Sequence, residues 1–245
     1  MKRTFPILIL SVALAWSARA QSPSPAASAA AGSSTAAAGN TDIYHVHFAK
    51  SAVGKAAAHG DMLKKQDPGA PMPGHFVVFR HENGDSWDYC VIEHLGTKAT
   101  LDMAKPPATP AVQGLGEWHN DTYASGPAWA TFAKEMGLDD ASKTGASAYV
   151  VSMYRPAGDQ RDALGKYLNE PPDRATDSTS GNIVLQHMEG AAWTFVKIAR
   201  NNSWDDFGKD MAKGIADMKD ANGGWFKMRS MAGFHTDTLC DRIAP

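Results

Sequence analysis

His45 and His47 sit in a stretch, Asp42 to Lys50, where apolar and polar side chains alternate. Alternation at that period predicts a β-strand, which puts both imidazoles on one face about 6 to 7 Å apart. Neutral imidazoles at that spacing can share a metal ion, with Glu93 or another histidine completing the set. They can equally serve as base and orienting group for a small ligand, or be hydrogen-bonded structural histidines. Tyr89 and Lys197 are donors suited to a developing oxyanion. Glu93 and Lys197 can act as acid and base, or be strand-end charges in solvent. His235-Thr236-Asp237 places a histidine and an aspartate on one strand face, but no serine or cysteine nucleophile accompanies them, so a hydrolase triad is not indicated.

The elements that must hold these residues occur twice. Tyr44-His45-Val46-His47-Phe48 matches Tyr149-Val150-Val151-Ser152-Met153, and Gly74-His75-Phe76-Val77-Val78 matches Gly181-Asn182-Ile183-Val184-Leu185. Trp87 and the apolar run after it match Trp193 and its run. Trp129-x-x-Phe132-x-Lys134-Glu135-Met136 matches Trp204-x-x-Phe207-x-Lys209-Asp210-Met211. Blocks recurring in the same order indicate an internal duplication. Each copy reads as strand, helix, hairpin and helix, with a closing strand near Ala232 to Ile243 in copy two. Asn83-Gly84 and Glu189-Gly190 mark the hairpin turns. The second helix of copy two starts at Ser203, a cap with Asp206 three residues on, and carries Phe207, Met211, Ile215 and Met218 on one face. On this alignment copy one has an insertion at 95–124, read as a lid or a surface excursion, and little room for a closing strand.

Comparing the copies separates two strand faces. Tyr44, Val46, Phe48, Phe76, Val78, Cys90 and Ile92 are apolar in both copies and are expected beneath helices. The opposite face carries His45, His47, Phe79, Trp87, Tyr89 and Glu93 in copy one. In copy two it carries Tyr154, Gln186, Trp193 and Lys197. This mixed face is expected to point between two sheets, as a satisfied polar core or as a pocket in which Phe79, Trp87, Tyr154, Gln186 and Trp193 bind a ligand catalysed on by His45, His47, Tyr89, Glu93 and Lys197.

Strand, helix, hairpin, helix, strand is the ferredoxin-like order. With its duplication, the chain from about Thr41 to Pro245 resembles the dimeric α+β barrel superfamily in fused form. That resemblance implies an α+β protein of two tandem ferredoxin-like repeats, 41–140 and 141–245, whose antiparallel sheets pack as an intramolecular barrel. The superfamily includes antibiotic-biosynthesis-type monooxygenases, haem-degrading monooxygenases and chlorite dismutase-like haem proteins. It thus implies a small organic ligand and a cofactor-independent monooxygenase-like activity, with a haem- or metal-dependent oxidoreductase or a noncatalytic interaction module as alternatives. No residue pattern singles out a haem ligand or a complete metal set, so the cofactor stays open, as does the oligomeric state.

The ends and the charge place the protein. Lys2 and Arg3, an apolar run from Phe5 to Trp16, and Ala18-Arg19-Ala20 read as a signal peptide over 1–20, predicting a secreted or periplasmic protein cleaved after Ala20. Residues 21–40, rich in Ala, Ser, Pro and Gly, read as a tether. Losing Lys2, Arg3 and Arg19 takes the formal charge from −2 to −5, with no basic stripe, which argues against nucleic acid and anionic membrane as partners. Export permits a Cys90–Cys240 disulfide; a buried free thiol at Cys90 is the alternative.

Overall fold

The computed structural model describes residues 39–65, 74–99, 114–171 and 177–245. The expected signal peptide and nearly all of the tether lie outside the described residues.

Eight antiparallel strands close into one barrel. They are β1 (Asp42–Ser51), β2 (His75–Asn83), β3 (Tyr89–Thr97) and β4 (Gly116–Gly126) in the first half. The second half supplies β5 (Ala148–Pro156), β6 (Thr179–Glu189), β7 (Phe195–Asn201) and β8 (Ala232–Ala244). The order around the barrel is β1-β3-β2-β8-β5-β7-β6-β4. The closing strand of each half pairs with its own first strand and with the second strand of the other half: β4 with β1 and β6, β8 with β5 and β2. Neither sheet is left with an unpaired edge. The helices described from end to end are α1 (Ala56–Leu63), α2 (Trp129–Met136), α3 (Arg161–Leu168), α4 (Trp204–Asp217) and α5 (Gly224–Met231).

The 95–124 stretch is therefore not simply an insertion. Its last part belongs to β4, the closing strand of the first half, which runs on through Ser125 to Gly126. The signal for β4 is a short repeat: His119-Asn120-Asp121-Thr122 corresponds to His235-Thr236-Asp237-Thr238 on β8. Both copies of this segment meet the opposite half in the same way. The backbone N–H of Ala191 donates to Thr122 Oγ1 at 3.1 Å, and that of Asp85 donates to Thr238 Oγ1 at 3.2 Å. Helix α2 follows β4, so it is not the counterpart of α4. Gly137 ends it in the left-handed conformation with φ 65°, as a C-terminal glycine does.

On β1, β3, β5, β6 and β7 the two strand faces are also exchanged relative to expectation, while β2 keeps the expected sides. The apolar face shared by the halves lines the barrel interior. Tyr44, Val46, Phe48, Cys90 and Ile92 meet Tyr149, Val151, Ile183, Leu185, Val196 and Ile198 there, and α2 adds Phe132 and Met136. Phe79, Trp87 and Trp193 belong to this interior as packed core. Phe76 and Val78 face outward beside Tyr89, Val91 and Leu63 of α1. β2 differs from the other strands because of a one-residue slip in the alignment of the copies. β2 pairs Val77 with Ile92, and β6 pairs Ile183 with Ile198, so Val77 and not Phe76 is the counterpart of Ile183. A shift of one residue turns a whole strand over. Cys90 and Cys240 are free, buried thiols in the same interior, and burial raises both pKa values.

Ser203 caps α4 as expected, accepting a hydrogen bond from the Asp206 N–H at 3.1 Å. Ser203→Ala is expected to cost about 1 kcal/mol, read by chemical unfolding. The apolar stripe of α4 is exposed and not core: Met211, Ile215 and Met218 are open to solvent, as is Trp204.

Candidate functional site

Pairing register builds a polar cluster on the outer face of the first half. On β1, His45 lies opposite Glu93 of β3 and Tyr123 of β4, while His47 lies opposite Asp121 of β4. Directly opposed residues share a face, so five strand positions converge. The His45 ring is held at both nitrogens: Nδ1 lies 2.7 Å from Glu93 Oε2 and Nε2 lies 2.9 Å from Asp121 Oδ1. His47 Nδ1 reaches the same Asp121 oxygen at 2.7 Å. The second oxygen of Asp121 is 2.7 Å from His119 Nδ1. The His45 and His47 ring centroids are 6.1 Å apart, and Tyr123 lies against His45 at 5.6 Å.

The electrostatics follow from this bracket. Burial disfavours a charged His45, but the hydrogen bonds to Asp121 and Glu93 outweigh it and raise its pKa to about 9. His45 is therefore a cation at neutral pH, donating to a carboxylate from each nitrogen. Hydrogen bonds from His45 and His47 hold the Asp121 carboxyl well below the usual carboxylate range. The cluster is open on one side: the side chains of His45 and His47 are 22% and 18% exposed and that of Asp121 is 41% exposed.

The other expected site residues lie elsewhere. Tyr89 is further along β3 under α1, and its hydroxyl donates to the Ala56 carbonyl at 2.7 Å. Tyr154 and Lys197 are on the outer face of the second half. Tyr154 stacks on His235 with centroids 5.7 Å apart and packs against Leu164 and Met228. Burial lowers the Lys197 pKa there. His235 Nε2 is 3.3 Å from Asp237 Oδ2, so that expected pair does form. Gln186 sits where β6 meets Ser125 of β4. Lys197 thus lies in the other half from Glu93, which bonds to His45. A depression lined by Phe48, Trp87, Met153 and Trp193 holds about 80 Å³, far below the several hundred that small-molecule sites usually offer.

His119, Asp121 and Tyr123 escape a reading based on the duplicated blocks, because they fall in the stretch taken as an insertion. The repeated His-x-Asp-Thr is the signal that finds two of them. It also shows what is unequal between the halves. The second half keeps His235 and Asp237, but has Val150, Ser152 and Ala199 in place of His45, His47 and Glu93.

No family model and no curated protein matches this sequence. Solved structures share the fold at low identity. A proposed monooxygenase from Fusobacterium nucleatum subsp. nucleatum is 8% identical, covers 83% of this chain and 93% of its own, and superposes with a TM-score of 0.55. An anthrone oxidase-like protein is 11% identical over 83% of this chain and 91% of its own, with a TM-score of 0.56. Architecture and comparisons together define the fold as an antiparallel α+β barrel of the kind these two structures share.

Proposed function

We propose that the chain is an exported, internally duplicated barrel that binds a small organic substrate over the outer face of β1, β3 and β4 and acts on it as an oxygenase. The observation that carries this reading is the convergence of His45, His47, Glu93 and Asp121 on one half of an otherwise two-fold barrel. The fold neighbours suggest the reaction type, and the anthrone oxidase-like one suggests the substrate class, an aromatic ketone with an acidic methylene.

Such a substrate reacts with oxygen once it has lost a proton and carries charge on its oxygen. The positive charge of His45 is suited to stabilise that oxyanion, and Glu93 to accept the proton. Converting a methylene to a carbonyl consumes one O₂ and releases one water, so no separate reductant is needed. Tyr123, half-open beside His45, offers an aromatic surface for the ring system.

Oxygen uptake by the purified protein with anthrone-type substrates tests this reading. Uptake matched one to one by product is expected, and His45→Val should slow it by about 100-fold or more. No uptake across the panel, or uptake unaffected by His45→Val, would contradict it.

A further inference from the structure

We infer that His45, His47 and Asp121 form a binding site for one divalent transition-metal ion. The inference deepens the site reading above and rests on it only for the metal's part in the reaction.

Three observations carry it. First, the ligand atoms are already gathered: one atom from each of the three residues lies within 4.8 Å of the others. The Asp121 oxygen is 2.9 Å from His45 Nε2 and 2.7 Å from His47 Nδ1. Metal–ligand bonds of about 2.0–2.1 Å give ligand–ligand edges of roughly 2.9–3.4 Å. Small side-chain shifts therefore open the cluster around an ion. Two imidazoles and one carboxylate with further positions open are a set suited to catalytic zinc or non-haem iron.

Second, two of the three ligands already have a supporting partner. A metal-bound histidine usually donates its other N–H to a carboxylate, which fixes the tautomer and aims the ring. With Nε2 on the ion, His45 Nδ1–H points at Glu93 Oε2, 2.7 Å away. The free oxygen of Asp121 accepts from His119 Nδ1 at 2.7 Å. Each of these partners comes from a different strand position in fixed register, so the set is held by the sheet and not by loops.

Third, the set belongs to one half. The equivalent place in the second half offers Val150, Ser152 and Asp237, with Ala199 where Glu93 stands. A packing requirement of the barrel would act on both halves alike. Both cysteines are buried in the interior and do not compete for the ion. An ion here would occupy the place of the proton on His45 Nε2, and its open positions would face the solvent side of the cluster, where a substrate oxygen can bind.

The test uses the purified full chain, stripped with chelator and titrated with Co²⁺ alone, read by ligand-field absorption and by bound metal per chain. One equivalent is expected, displaced by Zn²⁺. His45→Val and His47→Ser copy the residues that the second half carries, so the barrel should accept them. Each should weaken Co²⁺ binding by at least about 100-fold, and Asp121→Asn likewise. Glu93→Gln should weaken it by about 10- to 100-fold, through the orientation of His45. Should a variant fail to fold, anomalous scattering from cobalt in wild-type crystals locates the ion without any substitution. No stoichiometric binding, binding unchanged in the three ligand variants, or cobalt located elsewhere would each overturn the inference. Cobalt at the site without oxygen uptake upholds it while removing the oxygenase reading. Oxygen uptake undiminished in metal-free protein overturns the catalytic metal and leaves that reading standing.

Discussion

Phe79→Ala is expected to lower the unfolding free energy by about 3–5 kcal/mol, measured by urea denaturation. Phe79 is fully buried between the two sheets, with its ring 4.9 Å from that of Tyr149 in the opposite half. Truncating it removes contacts on both sides of the barrel, and neighbours already fixed in a close-packed interior cannot collapse into the gap. The effect is large against a typical stability of about 5–15 kcal/mol. It also separates two accounts of the barrel interior. A ligand cavity between the sheets would leave Phe79 on a wall and make the substitution cheap. A loss below about 1 kcal/mol would reinstate the cavity.

Gly190→Ala is the second large effect, about 3 kcal/mol or more. Gly190 has φ 125°, a conformation that L side chains rarely adopt. A Cβ there would also collide with the Asp121 carbonyl and lie 2.7 Å from Thr122 Cα. Gly84 repeats the arrangement against Asp237 and Thr238, with φ 135°. Each hairpin turn is thus pressed against the closing strand of the other half. Gly190→Ala should therefore disturb the first-half cluster through Asp121, although Gly190 belongs to the second half. Gly84→Ala should disturb Asp237 and spare that cluster. Equal loss of Co²⁺ binding in the two variants, at equal destabilisation, would contradict this coupling.

The duplication makes most of the architecture legible. Two strand-helix-hairpin units with matching turns suffice to call for a barrel, because each sheet must bury its apolar face against the other. Assigning a face is harder. It depends on parity, and pairing Phe76 with Ile183 in place of Val77 carries Phe79 from the core to the supposed pocket. The outer face also misleads by composition. Tyr89, Tyr154 and Phe195 are as apolar as interior residues, because helices cover them. The site is half legible. His45, His47 and Glu93 stand out by spacing and by differing between copies. Asp121 does not, because its partners on β1 are 74 and 76 residues away in the chain, and only register brings it between those two histidines. Matching Trp129 with Trp204 hides it further, since that alignment leaves β4 without a counterpart.

The proposed chemistry belongs to the outer face of the first half alone. Its most direct test compares two variants in one assay, substrate-dependent oxygen uptake. One carries His45→Val and His47→Ser, the other Tyr154→Phe and Lys197→Met on the outer face of the second half. A loss of about 100-fold or more is expected in the first and a change of no more than a few-fold in the second. Retained turnover in the first, with loss in the second, would contradict it.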